Sequence, residues 1–294
     1  MADRANVPLS TPQPPASPKR GPLRLAVRGN AKLALTIVHE DADLFIVEKP
    51  AGMVTQPGKG HTNDTLLNAL FALKEGSVGK QLHNLGVRRD YGLLHRLDKE
   101  TSGLLVVAKS PNAYDQLRRD FEARKVDKEY LTIIEGIPRP PQGVVQARLK
   151  EVEVPNPDAH GRGTIKKVVI SRAGEEAISA YKVLSHVEAD GGIAAKALVK
   201  VTIKTGRLHQ IRAHMLFLNC RVLGDDLYLP AGESAEEKHE QAKPPRLCLH
   251  AFHLGFKHPV TNKWIHFYSP LPPDLTRFAA KLRLTVPPAL APAP

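Results

Sequence analysis

Leu94-His95-Arg96-Leu97-Asp98-Lys99-Glu100-Thr101-Ser102-Gly103 is a polar, charged run that passes directly into the apolar segment 103–109. The change of character predicts a loop feeding a buried strand, and loops held by a rigid element are where reactive side chains concentrate. A carboxylate, Asp98, stands within three positions of a histidine and an arginine, His95 and Arg96. That crowding suits a reactive site and equally an ion-paired turn.

Working outward, residues 35–39 and 44–48 read as two strands around a turn at Asp41, Ala42 and Asp43. Asp64 precedes Leu66, Leu67, Leu70 and Phe71, a helical spacing that stops at Gly76. Ser110-Pro111 opens a helix with Ala113, Leu117 and Phe121 on one face and Arg118, Arg119 and Arg124 on the other. Further strands are predicted at 129–135, 167–172, 178–187, 195–204, 250–256 and 264–268. Several of these follow one another with no crossover helix between them, so the fold class is α+β: a mixed, largely antiparallel central sheet with flanking helices. The stretch 154–164, with its prolines, glycines and polar residues, reads as a long loop separating two halves of one catalytic domain.

The chain has 294 residues and a formal net charge of +12, from 42 Lys and Arg against 30 Asp and Glu. An excess of that size favours a polyanionic partner, with nucleic acid first. No apolar run is long enough to span a bilayer. The two cysteines, Cys220 and Cys248, form no CxxC pair and read as buried small hydrophobes in a reducing, cytoplasmic protein. Residues 1–32 are rich in proline and carry Lys19, Arg20, Arg24, Arg28 and Lys32 against Asp3 alone, which reads as a disordered basic leader. A body over 33–284 and a Pro-rich tail over 285–294 complete the organisation. His209, His214, His250, His253 and His258 show no HExxH or comparable spacing, so no metal is expected. There is no phosphate loop or dinucleotide fingerprint, and no GxSxG around Ser102 to support a serine hydrolase.

The run from His95 to Gly103 resembles the signature of the RluA family of pseudouridine synthases, whose central element is His-Arg-Leu-Asp. The chain is similar to that family, in the same order, at Val47-Glu48-Lys49-Pro50-Ala51-Gly52, Lys128-Glu129-Tyr130-Leu131, Thr205-Gly206-Arg207-Leu208-His209-Gln210-Ile211-Arg212, Gly224-Asp225, and Leu249-His250-Ala251 with His258-Pro259. Gln56, before Pro57-Gly58, departs from a position where the family often has histidine. The resemblance implies the pseudouridine synthase catalytic fold with a central cleft. It also implies cofactor-free isomerisation of a uridine in a ribosomal or transfer RNA stem-loop, by a monomer that engages neither metal nor membrane.

The resemblance further implies roles for individual residues. Asp98 matches the essential aspartate, called the nucleophile; a carboxylate beside a breaking glycosidic bond can stabilise charge, trap the sugar or remove a neighbouring proton, and the sequence does not choose among these. Arg212, expected on a helix starting after Gly206, is taken as the cation facing Asp98, and Arg207 as a phosphate contact. Tyr130 matches the active-site tyrosine, able to stack on uracil and to assist proton removal from carbon 5. Arg96 matches the arginine that fills the space left by an extruded base. His95 is expected to order the loop, and Lys49 with Pro50 to shape the cleft rim; with Arg96 and Arg207 they make up the expected RNA-binding set. The N-terminal segment is too short and too rich in proline for the helix-rich RNA-binding domain that many members carry, so target choice is expected to rest on the catalytic domain. A scaffold that binds RNA without catalysis is the rival reading, opposed by the intact Asp98, Tyr130 and Arg212 set.

Overall fold

A computed structural model describes residues 27–58, 60–155, 163–192, 194–229 and 243–290. Eleven strands form one sheet in the order β1-β2-β3-β10-β4-β8-β7-β5-β6, with β11 beside β10 and β9 beside β4. The strands are β1 (Thr36–Glu40), β2 (Leu44–Lys49), β3 (Ser102–Ala108), β4 (Asp127–Glu135), β5 (Gln142–Pro155), β6 (Thr164–Ile170), β7 (Glu175–Val187), β8 (Lys196–Ile203), β9 (Arg221–Val222), β10 (Leu249–Lys257) and β11 (Trp264–Tyr268). Between named strands only β3 and β10 run parallel; the remaining pairs are antiparallel, as the short connections required.

Helices α1 (Leu66–Ala72), α2 (Ser77–Leu85), α3 (Pro111–Glu122), α4 (Gln210–Phe217) and α5 (Pro273–Lys281) flank the sheet. Alternation along β2 and β3 decides which helix covers which face. Phe45, Val47, Leu105 and Val107 join the main core with α1 and α2, while Leu44, Ile46, Leu104 and Val106 pack with Ala113, Tyr114 and Leu117 of α3. Both faces are covered, so β3 is buried throughout. The start of α3 is as the sequence predicts: Ser110 Oγ accepts from Ala113 N–H at 3.2 Å, and Pro111 takes the first helical position. The α1 cap is Thr65 rather than Asp64, in a reciprocal box with Asn68.

Gly103, the last residue of the signature run, has φ +118°, and a Cβ there would overlap the Ala251 backbone. Glycine is therefore what lets β3 approach β10 and brings the ends of those strands together under the reactive loop.

Three expectations need correction. The stretch 154–164 does not divide two halves: β5 continues to Pro155, β6 begins at Thr164, and the two pair from Leu149↔Ile170 to Pro155↔Thr164 as a hairpin at the end of one continuous sheet. Residues 156–162 lie outside the described residues. The boundary at 32 is too late, because Asn68 Nδ2 donates to Arg28 O at 2.7 Å, Asn30 N–H donates to Asn68 O at 2.9 Å, and Val27 packs on the core. The boundary at 285 is too early, because Val286 and Leu290 pack on the same core and Leu271 N–H donates to Leu290 O. Most of the leader, residues 1–26, and the last four residues of the tail lie outside the described residues. Cys220 and Cys248 are free and buried; burial pushes their thiols up to about 11 and about 12. Among the described residues no helix is long and apolar enough to cross a membrane.

Candidate active site

The loop before β3 is clamped from the segment that follows β2. Thr55 Oγ1 donates to Leu97 O at 2.9 Å and accepts from Leu97 N–H at 3.3 Å, while Gly52 N–H donates to Lys99 O at 2.9 Å. Lys49 Nζ donates to Pro50 O (2.7 Å), Met53 O (2.7 Å) and Lys99 O (2.9 Å). Three N–H donors thus meet three carbonyls, and the loop carrying Asp98 is tied to the end of β2. Lys49 is wholly buried, which corrects its expected place at the rim: it holds the loop from beneath and cannot reach RNA. Burial draws its ammonium down to about 7, against the pull of Glu100 and Asp98.

His95 also leaves the RNA-binding set. Its Nε2 accepts from Val106 N–H at 3.2 Å and its ring stacks on Phe121 of α3, centroids 5.1 Å apart. Burial pulls its pKa down to about 3, so it is a neutral acceptor held against β3.

Asp98, one-fifth exposed, faces a cleft lined also by Arg96, Leu97, Thr101, Tyr130, Ile203, Gly206, Arg207, His209, Arg212 and Leu249. Arg212 Nη1 lies 3.6 Å from Asp98 Oδ2. The fork of the same guanidinium binds Asp225, Nε to Oδ2 at 2.6 Å and Nη2 to Oδ1 at 2.8 Å. Asp225 Oδ1 also accepts from the Leu227 and Tyr228 N–H groups, each at 3.0 Å. Burial works against the Arg212 charge, but Asp225 and then Asp98 outweigh it and raise its pKa.

The helix that carries Arg212 starts at Gln210, three residues later than a start directly after Gly206. Gln210 staples the preceding turn: Oε1 accepts from Thr205 Oγ1 and Arg207 N–H, and Nε2 donates to Ile178 O and Ser179 Oγ. Buried and saturated, that amide fixes the angle at which Arg212 enters the cleft.

Tyr130 projects from β4, buried at the cleft wall. Burial, then the Asp98 charge, push its phenol well above the ordinary value, so it works as a neutral hydroxyl. Arg207 sits at the edge with Nε on Glu176 O at 3.1 Å and Nη1 against Glu175, so part of its charge is already met. Arg96 is exposed and has no hydrogen-bonded or ion-paired partner among the described residues. Asp225 was visible as part of Gly224-Asp225 but without a role, and His209 and Tyr228, both beside Arg212, were missed as site residues.

Asp41, Asp43 and His258 form the one group among the described residues close enough to share a metal ion. Their atoms are already engaged: Asp41 accepts from His39, His258 and the Asp43 and Leu44 N–H groups, and His258 Nδ1 accepts from the Val260 and Thr261 N–H groups. The trio closes a turn.

The family model for RNA pseudouridylate synthase matches residues 43–217, which span the clamp, the reactive loop, β4 and all of α4. An RNA pseudouridine synthase of Aquifex aeolicus, itself uncharacterised, is 35% identical over 237 residues, 80% of this chain and 69% of its own length. The ribosomal large subunit pseudouridine synthase D of Zymomonas mobilis is 35% identical over 250 residues, 83% of this chain and 71% of its own. Among solved structures, human RNA pseudouridylate synthase domain containing 4 superposes with a TM-score of 0.61 at 28% identity, covering 85% of this chain and 94% of that one. By these matches the chain belongs to the RluA-type RNA pseudouridine synthases, a family of isomerases.

Proposed function

We propose that the chain converts a uridine of large-subunit ribosomal RNA to pseudouridine, with Asp98 as the carboxylate that acts at the ribose. The observation that carries this reading is the division of labour at Arg212: its fork is given to Asp225, and only one edge faces Asp98. The carboxylate is aimed by a cation yet keeps its oxygens open to the cleft. The bond from N1 to C1′ breaks, the base turns, and C5 bonds to C1′ while the C5 proton leaves and N1 gains one, so no atom is gained or lost. A carboxylate beside C1′ can carry the sugar through the step in which neither bond is whole. The neutral Tyr130 hydroxyl fits a proton relay near C5, and its ring offers a stacking face.

The Arg96 guanidinium, exposed at the mouth and without a partner among the described residues, can stack in the gap left by the extruded base. Arg207, half neutralised by Glu175, is the candidate phosphate contact at the edge. All of these residues come from one chain, so a monomer suffices. Ribosomal RNA is favoured over transfer RNA because the Zymomonas mobilis relative, and another from Neisseria meningitidis at 34% identity, are named as acting on the large ribosomal subunit. The test offers the purified protein tritium-labelled large-subunit RNA and transfer RNA in parallel. Label release from the ribosomal RNA, absent with Asp98→Asn, is expected; release from transfer RNA alone, or undiminished release by Asp98→Asn, would overturn the reading.

A further inference from the structure

His209 takes no part in the steps above, yet it reaches the same carboxylate oxygen as Arg212. Its side chain is 13% exposed, and Nε2 stands 3.8 Å from Asp98 Oδ2. Its Nδ1 lies 3.2 Å from the Tyr228 hydroxyl, with the two rings edge to face at 87°. That hydroxyl already accepts from Val168 N–H at 2.8 Å, so its own proton can be directed to Nδ1. The opposite assignment, Nδ1–H donating to the hydroxyl, would turn a bare Nε2 lone pair towards a carboxylate. Two acceptors would then face each other, so the proton belongs on Nε2.

Burial draws the His209 pKa down to about 4, although the Asp98 charge opposes this, so the ring is neutral at physiological pH. Tyr228 is itself placed by Asp225, which accepts its N–H, and its ring lies 4.9 Å from the Arg212 guanidinium. Contacts therefore close on themselves: Asp98 to Arg212, Arg212 to Asp225, Asp225 to Tyr228, Tyr228 to His209, and His209 back to Asp98. His209 holds this place with φ +49°, a conformation a glycine would adopt more cheaply. What glycine lacks is the ring.

We propose that His209 is a positioning residue for Asp98: its neutral ring turns an Nε2–H dipole towards Oδ2 from 3.8 Å, beyond hydrogen-bond length, its tautomer is set by the Tyr228 hydroxyl, and this hydroxyl serves catalysis only through His209. The inference rests on Asp98 being the acting carboxylate. A neutral N–H dipole facing Oδ2 can bias the orientation of the carboxylate without adding a second positive charge beside the one on Arg212, which leaves Oδ1 directed to the sugar.

The test is a double-mutant cycle of His209→Gln and Tyr228→Phe, with His209→Ala and Asp98→Asn alongside, read as kcat and KM on ribosomal RNA. Tyr228→Phe keeps the ring and the packing and should lower kcat on the order of 10-fold with KM unchanged. Glutamine keeps an N–H donor but has no tautomer to set, so His209→Gln should retain most of the activity that His209→Ala loses. In the His209→Gln background Tyr228→Phe should cost nothing further. Losses that multiply, or that fall on KM alone, would overturn the proposal. An active Asp98→Asn would instead remove the reading it rests on, and an inactive one with multiplicative losses would sink this inference alone. Nitrogen-15 shifts of the His209 ring give a readout independent of turnover: Nε2–H in the parent and a mixed or Nδ1–H ring in Tyr228→Phe are expected, and an unchanged tautomer would contradict the role given to Tyr228.

Discussion

Replacing Lys49 by methionine keeps the bulk of a fully buried side chain and removes its three N–H donors. Of the three carbonyls it serves, Lys99 O also accepts from Gly52 N–H, whereas Pro50 O and Met53 O depend on the ammonium. Pro50 is exposed and Met53 half-buried, so water can take part of the place of the lost donors and each carbonyl costs less than the roughly 1–3 kcal/mol of a fully buried orphan, though the lost bonds were charge-assisted; against this stands relief from desolvating an ammonium. Taking the two carbonyls and that offset together, we expect a net loss of about 2 kcal/mol, equivalent to a fall in Tm of roughly 4–8 °C for a body of this size. Because Lys99 O follows directly on Asp98, turnover should fall by more than the unfolded fraction explains, with KM for RNA nearly unchanged. Calorimetry and single-turnover kinetics on the same preparation check both. A Tm within about 2 °C of the parent, or a loss confined to KM, would show that Lys49 is neither the tie we describe nor remote from RNA.

Asp225→Asn should free the Arg212 fork to close on Asp98, lowering kcat on the order of 100-fold and destabilising the fold by about 3 kcal/mol; single-turnover assays and chemical denaturation would show both. Arg96→Lys should reduce turnover on a structured RNA on the order of 10-fold more than on a loose single strand, because an ammonium cannot stack in the vacated space; equal losses on the two substrates would end that idea. Acid should destabilise the protein through histidines that fold neutral. Burial lowers His95 to about 3 and His209, His214 and His250 to about 4, so between pH 6.5 and 4 the unfolded chain binds more protons. Stability is therefore full above the unfolded value and lost as pH falls towards the folded ones, by up to about 1.4 kcal/mol per pH unit for each histidine. Denaturation midpoints at pH 7, 6 and 5 would test this, and a flat profile would refute it.

What could be read in advance was what local pattern encodes. β11 was predicted at its observed bounds, β3 within a residue and α3 at its start, because β-branched or apolar runs ended at turn residues and Ser110-Pro111 is a start signal written in two adjacent positions; Arg124, read onto α3, falls two residues past its end at Glu122. β5 escaped notice: only Val145 and Leu149 along its length are buried, its other positions carry charges such as Arg148, Lys150 and Glu151, and prolines precede it. Its strand character comes from pairing with β6 and β7, which no window along the chain contains. Lys49 was misplaced for the same reason. A lysine ending a strand reads as a surface charge, and one of the carbonyls that enclose it lies fifty residues away. Arg212 was found from the family string, but its bond to Asp225 depends on a turn thirteen residues later, and His209 gains meaning only when Tyr228 folds back over it.

The two carboxylates of the cleft show why an arginine rather than a lysine suits position 212. Asp225 is fully buried, and the Arg212 fork, the Leu227 N–H and the Tyr228 N–H meet its lone pairs, so it is spent on structure. Asp98, one-fifth exposed, meets the same cation only at Nη1, 3.6 Å away and beyond hydrogen-bond length. A single ammonium has no such geometry: drawn to Asp225 it would forsake Asp98, and drawn to Asp98 it would sit on the oxygens needed by the sugar. The planar guanidinium divides its five donors, so one carboxylate anchors the cation and the other receives its field without being capped by it. On this argument Arg212→Lys should retain the fold and lose nearly as much turnover as Arg212→Gln, because what the reaction requires at this position is the fork and not the charge alone.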